Sequence, residues 1–293
     1  MLLIVGALIV LASVAGGYLI EGGHLLALSQ PAEFLIIGGA AVGSLLIGTP
    51  PKIVSKMLKR CAQVFGTGLG RQDYVDLLSM LYQLFRVIQS TGVMALEPHF
   101  DDPAQSNILS KYPKFLSRHE SLAFLSDSAK VIIVGGMSSH DLESLMDFDL
   151  EVHHQEESRP ATTLNKVGDA LPGLGIVAAV LGVVNTMGAI DGPPAEIGHK
   201  VGAALVGTFL GILLSYGFVQ PLASSLEARV NDDARYEQCI KAGLLAMFKG
   251  LPPAIAVEFA RRTLAEDVRP TFEETEAACK AARTEHAAAA AAA

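Results

Sequence analysis

Residues 204–221 read ALVGTFLGILLSYGFVQP and carry no charge. As a helix rising about 1.5 Å per residue, the stretch crosses most of a hydrocarbon core about 30 Å thick. Gly207, Gly211 and Ser215 recur every fourth residue, so they form one small-residue stripe along the helix. Such a stripe lets another membrane helix come close, and it marks this segment as packed and partner-facing. Thr208 sits beside the stripe with a hydroxyl at depth, Tyr216 adds a second one, and Pro221 closes the run.

Working outward, four uncharged apolar runs appear: 2–20, 34–48, 171–190 and 201–219. The first starts without a basic leader, which predicts a retained span rather than a cleaved signal. Gly39 and Gly43 in the second form another close-packing pair. Between the third and fourth runs, 191–200 holds Gly192, Pro193 and Pro194, a strong break. The runs therefore pair into two hairpins around a long insert, 52–167. That insert carries 12 of the 22 Lys and Arg residues, the tail after Pro221 carries nine, and the third-to-fourth turn carries only Lys200. Positive charge favours the cytosol, so insert and tail lie inside and both short turns outside.

Composition agrees with this class. The chain is 51% hydrophobic, only 18% charged and free of Trp. A net charge of −8 excludes nucleic-acid binding as the main role. Cys61, Cys239 and Cys279 show no metal spacing and fall in cytosolic segments, which predicts free thiols. The expected fold is all-α: a polytopic membrane protein with four transmembrane helices in two hairpins and a helical cytosolic domain. The expected divisions are a first hairpin at 1–51, a cytosolic helical domain at 52–167 and a second hairpin lining a partner at 168–222. A helical tail at 223–286 is expected to pack on the cytosolic domain, followed by a poly-Ala end at 287–293.

Enzyme signatures are missing: there is no HExxH, GxSxG, CxxC or phosphate-loop motif. His153 and Glu157 share a helix face, but their polar surroundings read as a solvated helix rather than a metal site. No cofactor is expected. More telling, none of the four runs contains Asp, Glu, Lys, Arg or His. Ion carriers need a titratable group at depth. Either the chain moves no ions or another subunit supplies the carboxylate. Pro172 and Pro221 sit near the cytosolic ends of the inner runs, where a proline frees a backbone carbonyl and can form a hinge.

Three segments together resemble the MotA family of flagellar motor stator subunits. They are 204–221, GDALPGLGIVAAVLGVV at 168–184 and LPPAIAVEFARRTL at 251–264, with the stretch 92–103 adding to the match. The resemblance implies a ring of identical chains around a MotB dimer whose membrane helix bears the ion-carrying Asp. The third and fourth spans would face MotB, and inward ion flow would drive the cytosolic domain against FliG of the rotor. Pro172 and Pro221 look like the family's paired functional prolines, and Thr208 like its hydroxyl near the ion path. Ala179 stands where sodium-driven relatives carry Thr; lacking that oxygen ligand, it implies protons as the coupling ion. Glu97 resembles the acidic rotor-facing residue. The basic position eight residues earlier is Gln89, and Arg86, one helical turn before that, is the cation that can substitute. Two other readings stay open: an ExbB- or TolQ-like energiser of outer-membrane processes, and a membrane scaffold that conducts nothing.

Overall fold

The computed structural model describes residues 2–66, 68–188 and 190–292, with side chains described up to Thr284. The poly-Ala end at 287–293 thus lies outside the described residues, apart from helical backbone as far as Ala292. The helices, in chain order, are α1 (Leu2–Ile20), α2 (Pro31–Gly48), α3 (Pro51–Gln63), α4 (Arg71–Thr91), α5 (Glu97–Asp101), α6 (Pro113–Leu116), α7 (His119–Val134), α8 (Ser139–Met187), α9 (Pro194–Leu214), α10 (Gln220–Phe248), α11 (Pro253–Arg262) and α12 (Phe272–Ala292). Among the described residues, four helical stretches are long and apolar enough to cross a membrane: Leu2–Ile20, Leu25–Gly48, Ser139–Met187 and Pro194–Phe248. The four-span, all-helical architecture read from the sequence is therefore present.

The helix boundaries differ from the apolar runs in instructive ways. α2 starts at Pro31, whose fixed φ suits a first helical position, so Glu33 lies inside the second membrane helix rather than in the turn before it. The absence of acids from the spans, as read from the apolar runs, is corrected accordingly. α9 likewise starts at Pro194, so most of the expected turn is helical. Pro221 does not end its helix. A π-type turn over Ser215–Val219 carries α9 directly into α10. α8 runs 49 residues through Pro160 and Pro172, so the expected division at 167/168 falls within one helix.

The chain forms two compact units, Met1–Thr67 with Glu157–Arg229, and Gly68–Glu156 with Val230–Ala293. In the first unit, Ile37 and Ala41 of α2, Leu171 and Ala178 of α8, and Val206 and Leu210 of α9 make one apolar cluster. A second cluster joins Met57 and Val64 to Ala161, Leu164, Ala223 and Leu226. Arg229 donates to the carbonyls of Gln63 (2.8 Å) and Val64 (2.7 Å), capping the C-terminal end of α3 with a cation where the helix dipole favours one. Glu157 is buried and ion-paired with Lys56 and Arg60 of α3, rather than solvated as its polar neighbours suggested. α1 buries no residue fully within the chain: Leu3 packs on the second cluster and Val10 lies beside Gly217, while its exposed apolar side chains, Ile4, Leu8 and Leu11 among them, are left for lipid or another subunit.

The second unit is built on α4, whose Tyr74, Leu77, Leu81, Leu84 and Phe85 are almost fully buried among α7, α10, α11 and α12. Gly243 of α10 lets the Phe85 ring come close, since a methyl there would stand 3.1 Å from its Cζ. The three cysteines are free. Glu258 of α11 accepts hydrogen bonds from Arg261 (2.7 and 2.8 Å) and Arg262 (2.7 Å). The Arg261 hydrogen bond, opposed by partial burial and helped by Arg262, holds its carboxyl down to about 2 against an ordinary 4.5. A depressed carboxylate stabilises the fold above pH 4.5, and that contribution is lost as the pH falls from 4.5 through about 2. Glu258→Gln should therefore lower α11 stability at pH 7 by roughly 1–2 kcal/mol. The gap from the parent should narrow on acidification. Amide exchange of α11 in the detergent-solubilised chain reads this directly, and a gap that stays constant from pH 7 to pH 3 would refute it.

Candidate functional site

The site is built where α8 meets α9. Glycine on both helices brings their backbones together. A methyl at Gly175 would stand 2.9 Å from the Gly207 carbonyl oxygen and 3.1 Å from Gly211 Cα. One at Gly211 would stand 2.6 Å from the Leu171 carbonyl oxygen, and one at Gly182 would stand 2.7 Å from Ala204 Cβ. The stripe of Gly207, Gly211 and Ser215 is thus consumed by packing within the chain, against α8 and, at Gly207, also against Glu33 of α2. It is not a surface left open for another subunit's helix. The exposed apolar side chains on these helices belong to other faces: Ile176, Val180 and Val183 on α8, and Val201, Leu205 and Ile212 on α9.

Pro172 and Ser215 are coupled by one hydrogen bond. Within a helix, the N–H of residue 172 would donate to the Gly168 carbonyl, but proline has none. The Ser215 hydroxyl takes its place, donating to Gly168 O at 2.7 Å from a fully buried position. The carbonyl freed by the proline is therefore satisfied from the neighbouring helix, as a low-dielectric interior requires. Beside it, Gln220 Nε2 donates to Asp169 Oδ1 at 2.8 Å. Ser215 also opens the π-type turn, where the Gln220 N–H reaches back five residues to the Ser215 carbonyl. Pro221 follows at once and is exposed. Wide turns of this kind concentrate at functional places in helices.

Thr208 and Ala179 are half-buried and Tyr216 is exposed. In the second unit, Arg86 and Gln89 near the end of α4 and Glu97 at the start of α5 are all exposed. Gly92, with φ 91°, turns the chain between the two helices in a conformation that favours glycine. Among the described residues, Arg86 and Glu97 form no ion pair with each other.

Sequence reading missed two features. Ser215 was assigned to the stripe for its size, whereas its hydroxyl also carries the bond that supports Pro172. Glu33 falls just outside the second apolar run, yet only 6% of it is exposed, and a methyl at Gly207 would stand 2.7 Å from its Oε2. Its place two residues after Pro31 is the available signal, since proline starts helices.

Known proteins match this chain over nearly its full length. Residues 4–92 match the motility protein A N-terminal family, and residues 116–238 match the MotA/TolQ/ExbB proton channel family. The chain is 42% identical to motility protein A of Salmonella typhimurium over 284 residues, which cover 97% of this chain and 96% of the relative. It is 44% identical to motility protein A of Escherichia coli over 277 residues, 94% of each. Its fold is that of C. jejuni MotAB (TM-score 0.74, 21% identity, 90% of this chain and 96% of the other). It is also that of the flagellar MotAB stator complex from Bacillus subtilis (TM-score 0.67, 21% identity, 87% and 92%). With that identity sustained along nearly the whole chain, and with four apolar helices of which the inner two are packed glycine to glycine, the chain belongs to the MotA family of flagellar stator proteins within the MotA/TolQ/ExbB proton channel family.

Proposed function

We propose that this chain couples inward proton flow to torque, as one of a ring of copies around a MotB dimer in the bacterial inner membrane. Both termini then lie in the cytosol with the insert and tail, where most of the positive charge is. The observation that carries the reading is the α8–α9 pair. It is tightly packed and interrupted at its inner end by Pro172 and the π-type turn, and it has no charged side chain from Leu171 to Met187 or from Val201 to Leu214. A helix pair of this kind can bend but cannot carry an ion across unaided. MotB's membrane Asp supplies the missing charge, with Thr208, Ala179 and Tyr216 nearest the path. Pro172 and Pro221 transmit the change to the cytosolic unit. The match of residues 4–92 to the motility protein A N-terminal family favours this reading over an ExbB- or TolQ-like energiser.

Swimming of a stator-null strain carrying this chain and its MotB tests the proposal. Motility that survives sodium removal and stops with a proton uncoupler supports it, and the proton assignment from Ala179 with it. Sodium dependence would overturn the ion assignment alone. A complex that adds no proton leak to the membrane would favour the scaffold reading.

The rotor contact is assigned to Glu97, flanked by Arg86 and Gln89, and to FliG as the partner. Glu97→Lys should reduce swimming speed by about half or more while leaving proton leak unchanged, since reversing an exposed charge acts on the encounter surface. An unaltered speed would remove Glu97 from the contact.

A further inference from the structure

We infer that Glu33 is a proton-binding site on the ion path, supplied by this chain itself in addition to the partner's carboxylate. The inference rests on the stator reading above. Glu33 lies in the first turn of α2. An acid there ordinarily turns toward water or the free N–H groups of the helix start. Glu33 instead points one carboxyl oxygen inward: the residue is 6% exposed, and Oε2 is buried without a hydrogen-bond partner. That oxygen lies against Gly207, where a methyl would stand 2.7 Å away, and the same spot is 3.2 Å from Ala178 Cβ and 3.3 Å from the Ala179 nitrogen. Gly207 thus provides a notch for the carboxyl, and a side chain there would fill it. The next residue is Thr208, and Ala179 is on the facing helix, so the carboxyl stands among the residues assigned to the path.

The depth is right for a relay. Gly207 is seven residues past Lys200, the last charge of α9, which puts the notch about 10 Å along the helix from the charged outer end. No titratable or charged residue faces the notch from α8 between Leu171 and Met187, from α9 between Val201 and Leu214, or from the rest of α2. A lone buried carboxylate is costly, and a bound proton removes the charge. In the step, a hydronium ion in the outer water gives up its proton and an O–H bond forms at the Glu33 carboxylate. That bond then breaks as the proton passes inward to the partner's carboxylate, which returns Glu33 to its starting state. No electron changes hands.

The test uses the full chain with its MotB in vesicles, with proton uptake followed by a pH-sensitive dye in sodium-free buffer. Glu33→Gln keeps the shape and loses the proton, so uptake should fall about tenfold or more at equal complex yield. Glu33→Asp should restore a large part of it. Uptake within about twofold of the parent in Glu33→Gln would overturn the assignment, as would a Glu33→Asp complex as inactive as the Gln variant, which would mean packing rather than titration. Infrared difference spectra of the intact complex add an independent check: a protonated-carboxyl band that changes with outside pH and is missing from Glu33→Gln supports the site, and no such band refutes it. A parent complex that takes up no protons would instead overturn the stator reading, and this inference with it.

Discussion

Pro172→Ala is expected to abolish swimming while the complex with MotB still assembles. The substitution restores an N–H at residue 172, so the Gly168 carbonyl regains its own helical donor. A proline inside a helix costs about 3 kcal/mol or more, so α8 should become more stable and stiffer. If torque depends on α8 bending at this point, the gain in local stability removes the motion. In the parent, Ser215→Ala leaves Gly168 O buried without a donor, at a cost of about 1–3 kcal/mol. In the Pro172→Ala background that carbonyl is already satisfied, and the same change should cost close to nothing. Thermal unfolding of the four solubilised complexes measures this coupling, and swimming assays measure the torque. A Pro172→Ala strain that swims, or one whose complex disappears, would show that the proline is not a hinge. Pro221→Ala should likewise stop swimming without loss of assembly, through the π-type turn just before it.

Gly211→Val is expected to remove the protein from the membrane or to separate it from MotB. A Cβ at this position would stand 2.6 Å from the Leu171 carbonyl oxygen and 2.9 Å from Gly175 Cα, and both are backbone atoms that no side-chain rotation can move aside. α8 and α9 would have to part along their length, opening the contacts at Gly175–Gly207 and Gly182–Ala204 as well. Overpacking in a tight core costs about 1–3 kcal/mol at one site, and here one residue props open a whole interface. Gly202→Ala is the control, because nothing lies within 4 Å of a methyl there. Equal membrane levels and equal MotB co-purification for the two variants would show that the glycine contacts are dispensable.

Two residues show how the reading from sequence and the structure divide. Ser215 falls on the stripe by its four-residue spacing alone, so its membership was legible. Its bond to Gly168 was not, because it joins residues 47 apart whose meeting depends on the register of α8 against α9. Glu33 was misplaced for a related reason. A charge at the edge of an apolar run is counted with the turn, and only the notch at Gly207, 174 residues away, shows that it faces inward.

What the sequence determined by itself is the part governed by local chemistry. Uncharged runs long enough for a bilayer, with proline and glycine breaks between them, specify four helices in two hairpins. The motifs at 168–184 and 204–221 specify the family. The tertiary structure decided which face of each helix is spent. It closed the Gly207–Gly211–Ser215 stripe on α8, turned Pro172's lost hydrogen bond into a contact with Ser215, and sealed Glu33 beneath α9. Those outcomes depend on contacts between residues far apart in the chain, where a shift of one residue in helix register would change every partner.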